Sequence, residues 1–261
     1  MSDINKAHLT EEEFLADYDI RKYAAVAVTV DLAIFTIRNS KLCVLLIERG
    51  GHPEKGKWAL PGGFVNTDES LDEAAARELH EETSLTIDDG YLEQLRTYGN
   101  PHRDKRGFIV SVSYVALVPK VGSARAGDDA VKAHFFPVDE VLEEDFGLAF
   151  DHHQIITDGL SRVRAKIEYA PIAHRFLEDE YFTISELRQV YETVWGVSLA
   201  PSNFRRKIQS VPGLLNPVGQ KRASAVAGGR TSDLYHAGDI STIYPPLRQP
   251  VAGVEEDTTE E

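Results

Sequence analysis

Residues 78–82 hold three glutamates, Glu78, Glu81 and Glu82, at spacings that a helix gathers into one cluster. Upstream, Ser70-Leu71-Asp72-Glu73 spells a capping box, in which a serine and the glutamate three residues on satisfy the free N–H groups of a helix start. A helix running from there towards Thr83 follows. With Leu71 at 0° and about 100° per residue, Ala74 and Ala75 define an inward face at about −60° and about 40°. Glu78, Glu81 and Glu82 land in line with them, at about −20°, −80° and 20°. A solvated helix puts its acids opposite its small apolar residues, so this conflict with the local pattern marks a site. Close carboxylates raise one another's pKa, and a hard, oxygen-seeking cation such as Mg²⁺ relieves them. Magnesium on a few carboxylates keeps positions for water and substrate phosphates, so phosphate chemistry follows from the cluster. Arg77, one turn from both Glu73 and Glu81, is placed to orient a carboxylate; the same spacing equally describes a surface ion pair.

Before this helix stands Trp58-Ala59-Leu60-Pro61-Gly62-Gly63-Phe64-Val65, whose paired glycines Gly62 and Gly63 permit a close backbone approach that side chains would forbid. The segment reads Gly63, five residues, Glu69, seven residues, Arg77-Glu78-Leu79, one residue, Glu81-Glu82. It resembles the Nudix box at every required charged position. The resemblance implies that Glu78, Glu81 and Glu82 ligate the metal, that Gly63 sits in the loop before the helix, and that Glu69 and Arg77 brace the ligating turn. The implied fold class is α/β, an α/β/α sandwich around a mixed sheet. The Nudix pattern has glycine where this chain has Ser84, near a helix end where a left-handed residue is often required. A displaced helix end can cost about 100-fold in rate, so the serine bears on turnover more than on binding.

The elements that must position this helix are strands. Residues 24–37 and 42–48 read as a hairpin around Arg38-Asn39-Ser40-Lys41, and residues 92–98 and 108–118 as a second pair flanking a polar loop over residues 99–107. Residues 135–138 form a further short strand, and residues 141–168 are mostly helical, stopping before Pro171. Arg49, Arg103 and Arg106 lie where they can approach a ligand phosphate or ribose. Glu143, Glu144, Asp128 and Asp129 stand as candidate general bases, with nothing in the sequence to choose among them.

The second half has its own organisation. Thr183-Ile184-Ser185-Glu186 is another capping box, followed by helical spacing of Leu187, Val190, Tyr191 and Val194 up to Gly196. Ser202 is expected to cap a short helix with Phe204, Ile208 and Val211 on one side and Arg205, Arg206 and Gln209 on the other. Residues 214–220 and 230–236 then pair as a hairpin. Although the chain is net −14, residues 197–232 carry Arg205, Arg206, Lys207, Lys221, Arg222 and Arg230 with no Asp or Glu, a cationic island in an acidic chain. Helix, turn, cationic helix and hairpin suit a small winged helix-turn-helix domain whose second helix enters the DNA major groove. Its DNA-binding residues would be Ser202, Asn203, Arg205, Arg206, Lys207 and Gln209 on the helix and Lys221, Arg222 and Arg230 on the wing, with Asn203 or Gln209 able to read a base edge.

With 261 residues, 42% hydrophobic and 27% charged, the chain is neither wholly disordered, collagen-like nor a coiled coil. No apolar run approaches the roughly 18 residues of a membrane span, and the acidic start lacks a secretory signal, so a cytoplasmic location is expected. The lone Cys43 sits in an apolar run as a buried thiol. We expect a flexible segment over residues 1–20, the sandwich over 21–168, the winged domain over 169–245 and a disordered acidic tail over 246–261.

The whole arrangement resembles the Nudix-related transcriptional regulators of NAD metabolism, the NrtR family. The likeness rests on residues 63–85, on Gly99-Asn100-Pro101-His102-Arg103-Asp104-Lys105-Arg106-Gly107, on Ile167-Glu168-Tyr169-Ala170-Pro171-Ile172-Ala173 and on Ser202-Asn203-Phe204-Arg205-Arg206-Lys207. It implies a homodimeric repressor of NAD metabolism genes that binds double-stranded operator DNA and senses ADP-ribose or a related nucleotide, with Mg²⁺ as cofactor. The alternative is a Mg²⁺-dependent ADP-ribose pyrophosphatase yielding AMP and ribose 5-phosphate; a protein-interaction module on an inert Nudix scaffold would leave the cationic helix unexplained.

Overall fold

A mixed sheet forms because two long apolar strands pair with partners of both directions. The computed structural model describes residues 9–84, 90–119, 130–223 and 231–250. Strands β1 (Ala27–Arg38) and β2 (Lys41–Arg49) make the expected antiparallel hairpin, with Arg38 opposite Lys41. Asn39 and Ser40 between them have φ of 49° and 59°, the doubly positive turn whose twist matches that of the strands. Short strands β3 (Trp58–Ala59) and β4 (Gly62–Phe64) add to β2 and β1. Strands β5 (Tyr91–Tyr98) and β6 (Ile109–Leu117) form the second antiparallel pair, and β6 runs parallel to β1 from Ala27–Ile109 to Phe35–Leu117. Strand β7 (Ala130–Pro137), longer than the expected 135–138, pairs with β2. The seven-stranded order is β3-β2-β1-β6-β5, with β4 on β1 and β7 on β2.

Alternation along β1 gives the sheet two buried faces. Val30, Leu32 and Ile34 pack with Ala74, Ala75 and Leu79 of a helix at Leu71–Thr83, while Ala33 and Phe35 pack with Ile155, Ile156, Leu160 and Val163 of a helix at His152–Tyr169. This is the α/β/α sandwich. A short exposed helix, α1 (Glu11–Asp17), precedes it inside the segment expected to be flexible; the two sandwich helices are α2 and, after α3 (Val138–Val141), α4. The single helix expected over 141–168 is interrupted. Residues 142–151 are irregular, with Gly147 at φ 74° and Phe150 at φ 52°, left-handed backbone that no helix interior tolerates. α4 does end ahead of Pro171.

The second module contains α5 (Ile184–Trp195), opened by the Thr183–Glu186 capping box and closed by left-handed Gly196, then α6 (Pro201–Ser210). Ser202 is not the cap: α6 begins at Pro201 after Ala200, and no side chain caps it. Proline at the first helical position lacks an N–H that would be unpaired there in any case. Strands β8 (Leu215–Arg222) and β9 (Ser232–Ala237) form the hairpin, tied to the rest by a bridge between Phe182 and Tyr235. Arg230 lies outside the described residues.

The core does not stop between the modules. The cluster around α4 continues through Tyr191, Val194, Trp195, Phe204 and Ile208. The expected disorder from residue 246 is corrected over its first residues, because Leu247 is buried, its N–H donates to Glu168 O, and Gln249 bonds Glu168 and the Trp195 carbonyl; residues 251–261 lie outside the described residues. Among the described residues no helix is long and apolar enough to cross a membrane.

Gly159 sets how closely α4 lies on the sheet: a Cβ there would stand 3.3 Å from both Ala33 Cβ and Phe35 Cε2. Gly159→Val therefore overpacks this face and is expected to cost about 1–3 kcal/mol, read as a lower denaturant midpoint; an unchanged midpoint would show that the helix is not pressed there.

Candidate functional site

Helix α2 carries its acids into the interior unequally. Glu78 is 7% and Glu82 6% exposed, whereas the Glu81 side chain is half exposed, so the face drawn from the sequence holds for two of the three. Arg77 braces the turn, as expected from the box. It donates to both Glu69 oxygens at 3.0 and 2.8 Å, to Glu78 Oε1 at 2.7 Å and to Glu81 Oε2 at 3.4 Å. Glu73 stays with its cap, bonded to Ser70. The Arg77 hydrogen bonds hold the Glu69 carboxyl down at about 2. Burial pushes Glu78 up in spite of Arg77. Glu82, with no cation beside it, is pushed by burial, then by Glu78 and Glu81, up to about 7. Its Oε2 is buried without a hydrogen-bond partner, an acceptor open to a cation. Among the described residues no three acidic, His or Cys side chains by themselves converge on a metal position; Arg77 engages one oxygen each of Glu78 and Glu81.

Ser84 takes the left-handed conformation itself, with φ 62° and ψ 16°, and its N–H closes the helix on His80 O at 2.7 Å. The helix end is thus where a glycine would put it, at a cost of about 1–2 kcal/mol for a side chain in that region. Gly63 pairs with Val30, and a Cβ on it would collide with Glu78 Oε1; a Cβ on Gly62 would collide with the Val30 carbonyl. Both glycines are required by close approach, and Gly63 lets Glu78 of the acidic helix lie against its strand.

Beside these glycines, on the side of β1 that carries Thr29 and Asp31, lies a cavity of about 230 Å³. Its lining contains all five ligand residues named from sequence, Arg49, Gly62, Gly63, Arg103 and Arg106. Arg103, only 4% exposed, forks onto Asp151 at 3.0 and 2.7 Å and reaches Asp31 at 3.5 Å; burial opposes its charge, yet the two aspartates raise its pKa above the ordinary value. Arg106 forks onto Asp104 and lies over the rings of Phe64 and Phe150 at 5.3 and 6.0 Å. Sequence reasoning missed Asp31, Asp104, Phe150, Asp151 and His152. Asp31 was legible as a lone charge in an apolar strand; it is buried and accepts from Ser111 Oγ at 2.5 Å. His152 is fully buried, which lowers its pKa, and its Nδ1 accepts the Leu60 N–H at 2.8 Å. Of the candidate bases, Glu143 and Glu144 line a different hollow with His153, and Asp128 and Asp129 lie outside the described residues.

The cationic surface is narrower than the sequence suggests. Phe204 and Ile208 are buried, leaving Arg205 and Arg206 exposed without an ion pair to any described residue. Ser202 is exposed, Asn203 and Lys207 are half-buried, and Gln209 Nε2 reaches the Tyr235 hydroxyl at 3.5 Å. On the wing, Lys221 faces Asp233 at 3.6 Å. Arg222 also ties the wing to the module: it donates to Glu186 at 2.5 Å and to Asp179 and the Tyr181 carbonyl at 2.8 Å, partners that lie outside the cation-only stretch.

The family model of the NUDIX domain matches residues 28–158 and that of the NrtR DNA-binding winged helix domain residues 176–237. The chain is 37% identical over 231 residues, 87% of its length and 88% of the relative's, to the ADPR responsive transcriptional repressor NtrR of Acinetobacter baylyi. The chain belongs to the NrtR family. Shewanella oneidensis NrtR complexed with a 27mer DNA is 33% identical with a TM-score of 0.71, covering 85% of this chain and 99% of that one. The NUDIX domain of the same protein complexed with ADP ribose is 39% identical with a TM-score of 0.54, covering 59% and 99%. An ADP-ribose pyrophosphatase of Methanocaldococcus jannaschii is 41% identical over 143 residues, 54% of this chain and 78% of that one. In this NrtR-family chain the Nudix box departs at Ser84 in residue type but not in backbone shape.

Glu82 gives the NrtR-family site a pH signature. A carboxyl whose pKa is higher folded than unfolded contributes stability that is complete below the unfolded value and is lost as pH climbs through the folded one, here about 7. In chelator-treated protein, Glu82→Gln should remove a loss on the order of 3 kcal/mol between about pH 4.5 and 7. The variant should then be the more stable protein above pH 7.5 in denaturant titrations; parallel profiles for the two would place the carboxylate in water.

Proposed function

We propose that this chain is a transcriptional repressor of NAD metabolism genes that binds operator DNA through its winged helix and is controlled by ADP-ribose or a related NAD-derived nucleotide in the Nudix cavity. The observation that carries the reading is the exposed Arg205–Arg206 pair on a helix whose Phe204 and Ile208 belong to the same core as α4, the helix whose first residue lines the cavity. A helix anchored on one side and cationic on the other neutralises phosphates while lying in a groove. The cavity suits a nucleotide diphosphate: three arginines for the charge, Phe64 and Phe150 for a base or ribose face, and Asp31 and Asp104 as hydroxyl acceptors. The matched relatives supply the ligand and the DNA, as their names state.

Magnesium fits the acidic helix at Glu82, whose buried Oε2 has no other partner, with Glu78 beside it and Glu81 at the rim. When bound, the cation would neutralise and polarise the diphosphate oxygens. The chain's own part is to hold Glu78 and Glu81 through Arg77 and to keep Gly63 clear of Glu78. Operator half-sites related by two-fold symmetry call for a homodimer.

A second reading, ADP-ribose pyrophosphatase activity, is favoured by one observation: Ser84 keeps the helix end in its left-handed shape, so the box is not distorted. We expect ADP-ribose with Mg²⁺ to bind while AMP appears slowly or not at all. Release at ordinary enzymatic rates, abolished by Glu82→Gln, would make the enzyme the better reading.

For the repressor, Arg205→Ala combined with Arg206→Ala should weaken operator binding across sequences and flatten the dependence of log K on log salt by about 2 per protomer, about 4 for a homodimer on both half-sites, leaving ADP-ribose affinity unchanged. Retained operator affinity and slope in a gel-shift series over salt would remove α6 as the DNA contact.

A further inference from the structure

Helix α4 joins the cavity to the DNA-binding module end to end. Its first residue, His152, sits in the cavity wall. Its last turns hold α5: Arg164 Nε donates to Val194 O at 2.9 Å, Trp195 Nε1 to Arg164 O at 3.1 Å, and the Tyr191 hydroxyl to Ile167 O at 3.0 Å. The Tyr191 ring then meets Phe204 of α6, with ring centres 5.4 Å apart. One side chain therefore touches both the backbone of α4 and the buried anchor of the cationic helix. Eighteen residues make α4 a rod about 27 Å long.

The start of the rod departs from ordinary helix chemistry twice. Asp151 occupies the N-cap, where an aspartate usually accepts an N–H of the first turn, yet it makes no such bond. Both of its carboxylate oxygens are taken by Arg103 instead. The preceding residue, Phe150, has φ 52°, an outlier for so bulky a side chain. Strain of this kind persists where surrounding contacts impose it, and the Phe150 ring lies beneath Arg49 at 4.8 Å and near Arg106 at 6.0 Å. The cavity arginines thus hold both the cap carboxylate and the ring of the residue before it.

A diphosphate is a bidentate acceptor for the same guanidinium fork that Asp151 now fills. Freed of Arg103, the Asp151 carboxylate is in place to cap its own helix, where an anion is also favoured by the helix dipole.

We propose that Asp151 is the relay between the nucleotide cavity and α6: the nucleotide takes Arg103 from Asp151, the released carboxylate caps α4, and the displaced rod acts on α6 through Tyr191. This rests on the ligand-controlled repressor reading and supplies the unequal contact that such control requires, since a ligand bound equally by both states shifts nothing.

The test uses the full chain, an operator duplex selected from a random-sequence pool, and ADP-ribose as the probe. Operator affinity is measured by anisotropy with and without ADP-ribose, and ADP-ribose affinity by calorimetry. The wild type should show an affinity ratio of roughly 5- to 150-fold. Asp151→Asn keeps a capping side chain but loosens Arg103, so without nucleotide it should bind operator as the saturated wild type does, ADP-ribose changing this by less than about twofold. Tyr191→Phe, remote from the cavity, should bind ADP-ribose as the wild type does while the operator ratio shrinks at least about threefold. A wild-type ratio in either variant overturns the relay and leaves ligand control standing. A wild-type chain whose operator affinity ignores ADP-ribose overturns the control itself, and the relay with it. Should Asp151→Asn fail to fold, Tyr191→Phe decides alone.

Discussion

Burying one face of α2 is the constraint from which the site follows. Ala74, Ala75 and Leu79 must leave water against β1 and β6, and a helix cannot bury them without drawing Glu78 and Glu82 inward on the same face. Carboxylates taken out of water need protons, cations or hydrogen bonds. Arg77 supplies a cation to Glu78, and the missing Cβ of Gly63 supplies room. Glu82 receives neither, and its acidity is weakened accordingly. Folding thus creates an unmet demand for positive charge at one atom, on a helix whose Glu78 lies against Gly63 of the cavity wall.

That cavity resolves its own charge internally when no ligand is considered. Arg103 and Arg106 are each forked onto an aspartate, a planar acceptor of the kind that also suits a phosphate. Such pairs keep the arginines ordered and pointed, at the expense of competition with the ligand. The exposed α6 does the opposite, leaving Arg205 and Arg206 without a partner among the described residues. Preorganisation in one place and open charge in the other are the electrostatic forms of small-molecule and duplex recognition.

What the sequence made legible was local. The capping boxes at Ser70 and Thr183, the Asn39–Ser40 turn, the acid-bearing face of α2 and the split of α6 into buried and cationic sides all depend on contacts within a few residues, and the structure has them. The break in 142–151 was hidden because its left-handed residues include a phenylalanine, which carries no turn signal. Arg222 read as a free cation because its partners, Asp179 and Glu186, lie some forty residues away in sequence. The cavity's aspartates come from β1, the 99–107 loop and the start of α4, and no periodicity links three such distant points. Ser84 shows the reverse error: residue type suggested a shifted helix end, and the backbone adopted the glycine shape regardless.

The stretch from Ile243 to Gln249 works as a clasp over the seam between the modules. Ile243 and Leu247 fill apolar space there, and their N–H groups, with both nitrogens of Gln249, attach to Tyr169, Glu168 and Trp195. The winged module therefore cannot be lifted out at the end of β9 as a self-sufficient cassette, since excision at residue 237 would strip the lining from the joint on which α4 and α5 meet. A reporter fused directly behind the hairpin, or a protease cutting between residues 238 and 242, would loosen the hinge without touching a single residue of either binding surface.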